Sequence, residues 1–175
     1  MARKIILTLL IILNLLSLSS CIGIKNRKDT NRIVIGDEQK MDARVEQIIS
    51  ALKDSDKDTL KSLFSQKAVD ESTDLDNELD LLFDYIQGSI ESWEIEHGWS
   101  SSKSIRYGKT SIMIRFVFDV VTDVDTYSFF IIDYNVDTIS PENEGVYMLE
   151  VHKSSYNGEW ESWQKRMRAG ISIVE

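Results

Sequence analysis

Apolar residues recur along the chain with two different periods, and the change from one to the other divides it. Met41, Val45, Ile48, Ile49 and Leu52 fall at i, i+4, i+7, i+8 and i+11, and Leu75, Leu79, Leu82, Phe83 and Ile86 repeat those intervals. Each segment therefore carries one stripe of the kind a helix buries. Asp37 is the expected N-cap of the first, Ser72, Thr73 or Asp74 caps the second, and Gly88 stands where a C-cap glycine is favoured. Between them, Asp56-Lys57-Asp58-Thr59 is a start for a short helix carrying Leu60, Leu63 and Phe64.

After Gly88 the period falls to 2. Trp93, Ile95, His97 and Trp99 share one parity and Glu94 and Glu96 the other, the mark of a strand with one buried face. Ile112, Ile114, Phe116, Phe118 and Val120 alternate with Ser111, Met113, Arg115, Val117 and Asp119 in the clearest strand of the chain. Thr122-Asp123-Val124-Asp125 supplies turn residues, and Thr126 to Val136 returns as the hairpin partner. Its register is open. A two- or four-residue turn puts Tyr127, Phe129, Ile131 and Asp133 on the face of Phe116 and Phe118, whereas a three-residue turn puts Phe130, Ile132 and Tyr134 there, since a slip of one residue exchanges the faces. A loop follows from Asp137 to Gly145, then a strand marked by Tyr147, Leu149 and Val151. The tail from Ser154 to Glu175 is irregular or a last short strand. Helices followed by a mostly antiparallel sheet predict an α+β domain over 37–175, with the helices packed on one face.

The N-terminus has a different character. Met1-Ala2-Arg3-Lys4 precedes an apolar run from Ile5 to Leu18. That run falls short of the roughly 20 residues of a permanent span and has the charged flank of a secretion signal. Leu18-Ser19-Ser20-Cys21 resembles the lipobox of bacterial lipoprotein precursors. The resemblance implies a diacylglyceryl group on the sulfur of Cys21 and cleavage between Ser20 and Cys21, so residues 1–20 are read as a leader. Acyl chains at about 0.8 kcal/mol per buried CH₂ would hold the protein on a bilayer. The expected address is the extracytoplasmic face of the cell membrane. Residues 21–36, basic through Lys25, Arg27, Lys28 and Arg32, are expected to be a flexible tether with a reach of about 20 Å.

Composition narrows the partners. The 175 residues carry a net charge of −9 with a single cysteine. An acidic balance argues against phosphate-backbone binding, which needs clustered Lys and Arg, so nucleic acid is not an expected partner. One cysteine allows no internal disulfide, and stability must come from packing.

The stretches ELDLLFDYIQGSIESW, RYGK and PENEGVYMLEV resemble a family of uncharacterised Gram-positive lipoproteins assigned to the nuclear transport factor 2-like, or cystatin-like, superfamily. The likeness covers most of residues 40–155. It implies a cone, with a curved sheet wrapping helices around a cavity, and no established activity. In such a cone the candidate pocket residues are Trp93, His97, Trp99, Tyr107, Asp133 and Tyr134, with His97 paired to a carboxylate such as Asp133 as a general base if the protein is an enzyme. The other reading, and the preferred one, is a non-enzymatic module for a small ligand or an envelope protein. His152 alternates with Glu150 on the polar side of its strand and reads as surface.

No Gly-rich phosphate loop, G-x-S-x-G or H-E-x-x-H occurs. The acids from Asp70 to Asp80 lack the glycine and final glutamate of an EF-hand and read as a solvated helix start. Neither a metal nor a cofactor is expected. Tyr156, Trp160 and Trp163 either cover the core or form an exposed interaction surface, with packing the default expectation.

Overall fold

The structure, a computed structural model, describes residues 27–156 and 166–171, with side chains for 36–155 and 166–171. The expectations for Ser20, Cys21 and the leader, and for the side chains of Tyr156, Trp160 and Trp163, lie outside those residues. Residues 37–175 form a compact unit and carry the architecture described below.

Among the described residues four helices come first: α1 (Arg27–Lys53), α2 (Lys57–Ser62), α3 (Gln66–Glu71) and α4 (Leu75–Tyr85). The predicted stripe of α1 is buried throughout, from Met41 to Leu52. Asp37 does not cap it, because helical backbone begins at Arg27. No proline interrupts that stretch, and Gly36 costs only about 1 kcal/mol relative to alanine, too little to stop a helix by itself. The tether expected over 21–36 is thus helical from Arg27 onward. α1 closes with Ser55 at φ +52, where Asp56 N–H reaches the Ala51 carbonyl (2.9 Å) and Ser55 N–H the Leu52 carbonyl (3.2 Å). These are the paired bonds of a Schellman motif.

Asp56, Ser65 and Asp74 then cap the next three helices, each accepting a bond from a backbone N–H three residues on. Leu63 and Phe64 follow α2 rather than sitting in it, and α3, which carries Asp70 and Glu71, was not visible as a separate element in the apolar pattern. Gly88 is not the C-cap of α4, which ends at Tyr85 with Ile86 as an extended cap residue. Its φ of +88 turns the chain into the sheet. A Cβ there would lie 2.3 Å from Asp123 Oδ1, so the glycine allows this close approach.

Six strands form one antiparallel sheet: β1 (Ile90–Ile95), β2 (Ser100–Arg106), β3 (Lys109–Thr122), β4 (Thr126–Asp137), β5 (Gly145–Lys153) and β6 (Met167–Gly170). The order is β1-β3-β4-β5-β6, with β2 also on β3. The strand expected from Trp93 to Trp99 breaks after Ile95. The chain bends through Gly98 at φ +112 and resumes as β2, so β1 and β2 line successive halves of the same edge of β3.

The β3–β4 hairpin settles the open register. Phe118 opposes Phe129, Phe116 opposes Ile131 and Ile114 opposes Asp133, so the odd residues of β4 face the helices. Ile114, Phe116, Phe118, Val120, Tyr127, Phe129 and Ile131 join α1, α2 and α4 in one core. Phe118 and Phe129 stack at 4.8 Å.

The opposite face of the sheet is not uniformly polar. Glu150, buried on β5, is gripped there by Arg166 and Arg168. His152 lies opposite Ser128 and is half-buried rather than a freely exposed surface residue.

Candidate functional site

A cleft of about 400 Å³ opens between α1, the α2–α3 junction and the ends of β4 and β5. Lys40, Ala43, Arg44 and Gln47 line one wall at i, i+3, i+4 and i+7. This polar stripe runs beside the apolar stripe that anchors α1, so burying one aims the other. Ser62, Leu63, Phe64, Asn135, Glu144 and Gly145 complete the lining.

Two β-bulges shape the far wall. The pairing of β3 with β4 shifts between Ile112 and Met113, leaving Asn135 as the extra residue on β4. The pairing of β4 with β5 shifts between Ile132 and Asp133, leaving Tyr147 as the extra residue on β5. An unpaired residue at a bulge is free to be re-aimed, and bulges gather beside sites for that reason. The bulge also reverses the expected parity of Tyr147. Its ring lies 5.4 Å from that of Tyr134, tilted by 53°, and Val146 instead turns inward to join the core.

At the base of the cleft Arg44 Nε stands 3.2 Å from Asp133 Oδ1. Asp133 is only 1% exposed. Burial pushes its carboxyl above the ordinary carboxylate range, and the Arg44 guanidinium holds it part of the way back. Arg44 Nε and Asp133 Oδ1 are thus each other's partners as an ion pair, whereas the buried Asn135 Nδ2 has no hydrogen-bond partner. A buried polar group without a partner costs about 1–3 kcal/mol. An unpartnered Asn135 amide beside the Arg44 guanidinium at one concavity marks a place where a polar ligand would be favoured.

Next to the cleft, Asp137 has a structural task. Burial raises its carboxyl, but bonds from Asn143, the Ser140 N–H, Ser111 and the Ile139 N–H outweigh that and hold it below the usual range. It thereby folds the β4–β5 connection, which delivers Glu144 to the cleft.

The six residues expected in a pocket do not converge. Trp93 is half-buried opposite Val120, and Trp99 packs on the core edge. His97 is exposed in the β1–β2 break, with β3 between its strand and β4. Tyr107 is fully exposed at the β2–β3 turn. Tyr134 occupies the face away from the helices, where burial and the neighbouring Tyr147 raise its hydroxyl. Asp133 alone faces inward beside the cleft, and its partner is Arg44 rather than His97. The signal that could have found Arg44 was the spacing of Lys40, Arg44 and Gln47.

Among the described residues no three His, Cys, Asp or Glu side chains gather as a metal site, and no helix is long and apolar enough to cross a membrane. A family described as a domain of unknown function, DUF5104, matches residues 47–155. No curated protein matches the chain.

Proposed function

The chain belongs to the DUF5104 family, and from that premise and its Arg44 cleft we propose that it is a membrane-anchored envelope lipoprotein whose domain binds a small ligand without transforming it. The observation that carries the reading is a buried donor without a hydrogen-bond partner, Asn135 Nδ2, at the same concavity as the Arg44 guanidinium. Their chemistry suits an acceptor on the ligand, a carboxylate, phosphate or carbonyl oxygen. Lys40 adds a cation at the wall, while Glu144 can accept from a neighbouring hydroxyl or amine.

The arginine facing Asp133 favours binding over proton transfer, because a guanidinium stays charged at all working pH values. The general base of the enzyme reading, His97, is exposed and not beside Asp133. The helices, the antiparallel sheet and the cleft fit a cone of the nuclear transport factor 2-like kind. The anchor rests on the positive start, the apolar run and Leu18-Ser19-Ser20-Cys21.

Native mass spectrometry of the mature protein after incubation with envelope extract tests the binding role. The expected result is a reproducible small-molecule adduct that Asn135→Leu diminishes. No adduct, or one indifferent to the substitution, refutes the cleft as the site. For the anchor, Cys21→Ser should release the protein from membranes or leave an unprocessed precursor, and an unchanged acylated species would refute acylation at that position.

A further inference from the structure

The β2–β3 hairpin differs in charge from the rest of the molecule. From His97 to Phe118 there is no Asp or Glu but four cations, Lys103, Arg106, Lys109 and Arg115, in a chain of net charge −9. Lys103, Arg106 and Lys109 are exposed and enter no ion pair among the described residues. Arg106 faces Lys109 across the turn, while Lys103 pairs with Ile112 and Ile105 with Thr110. The cations thus surround the tip instead of forming one track.

The tip itself is apolar. Ile105 is 64% exposed and Tyr107 wholly so. The two turn residues have φ values of +51 at Tyr107 and +78 at Gly108, the pattern of a type I′ turn, where Asn or Gly is favoured at the first position. A tyrosine there is strained, and among the described residues nothing packs on its fully exposed ring to compensate the strain. A tyrosine combines an apolar ring with a polar tip and suits the headgroup layer of a bilayer.

We propose that the β2–β3 hairpin is a contact for an anionic bilayer surface, with Tyr107 and Ile105 at headgroup depth and Lys103, Arg106 and Lys109 on lipid phosphates. A small convex tip suits a lipid surface better than an extended polyanion, which requires a basic track. The contact is independent of acylation at Cys21.

The test uses the full chain carrying Cys21→Ser, with an environment-sensitive fluorophore on Ser102→Cys, and vesicles of equal parts phosphatidylcholine and phosphatidylglycerol. The expected result is a blue shift that is absent on pure phosphatidylcholine and lost at high salt. Replacing Lys103, Arg106 and Lys109 together by serine should lower partitioning about 100-fold, near five-fold for each cation. Tyr107→Asn, which suits the turn, should reduce the shift without unfolding the hairpin. The proposal is overturned by no shift, by an equal shift on pure phosphatidylcholine, or by an equal shift from a label on Asp54→Cys. A shift produced by RNA or polyglutamate but not by vesicles would also overturn it, assigning the tip to a soluble polyanion.

Discussion

Replacing Arg44 with methionine keeps much of the side-chain stem and removes the only cation paired with Asp133 among the described residues. The two side chains are 19% and 2% exposed and 3.2 Å apart. At that separation, with an effective dielectric of about 20, their attraction is about 5 kcal/mol. Desolvation opposes it, as the raised carboxyl of Asp133 records. An acid whose pKa is higher folded than unfolded binds more protons in the folded state between the two values. Its contribution to stability therefore falls as pH rises through that window and stays low above it.

Without Arg44 the window extends upward, since burial then acts against the carboxylate with little to offset it. Arg44→Met is expected to cost about 3 kcal/mol or more at about pH 8, where a buried carboxylate lacks its partner. At about pH 4.5 the loss should be much smaller, because a protonated carboxyl needs no counter-ion. Urea unfolding followed by tryptophan emission and circular dichroism at both pH values measures the difference. Adding Asp133→Asn to Arg44→Met should restore most of the loss at the higher pH. Equal losses at the two pH values, or no recovery in the double variant, would refute the pairing of these residues.

Two further substitutions probe the frame that holds the cleft. Phe118→Ala removes a fully buried ring stacked on Phe129 and should lower stability by about 3–5 kcal/mol in a thermal melt; a loss under about 1 kcal/mol would mean that the core closes differently. Gly145→Ala meets both a φ of +122 and a Leu63 carbonyl oxygen 2.9 Å from the new Cβ. It should weaken the bonds that join Leu63 and Ser65 to Val146 and cost roughly 1–3 kcal/mol, read as faster amide exchange at Ser65 and Val146. Unchanged exchange there would contradict the close approach.

The elements that could be read from the chain were those whose signal is local. The stripe from Met41 to Leu52 and the alternation from Ile112 to Val120 follow from the geometry of a single helix or strand, in which side chains repeat every 3.6 or 2 residues. The cap at Asp74 is local too, because the side chain satisfies an N–H three residues away. The split of the Trp93 region into β1 and β2 was less visible, because Trp99 keeps its apolar character across the bend at Gly98. Asp37 misled because a capping residue signals a helix start only where the preceding backbone stops being helical.

Sequence alone determined the α+β class, the order of helices before strands and the apolar faces, since each depends on neighbours along the chain. It also brought Asp133 forward, but with two faces open to it. Only the tertiary structure chose between them, because one residue more in the turn exchanges every side chain of β4. Only packing made Arg44 its partner, since the two meet through the docking of α1 on the sheet and no local spacing relates them. His97 and Tyr107 carried the most suggestive chemistry in the sequence and came out exposed for the same reason: the edge strand bends at Gly98, and the hairpin projects its turn into solvent.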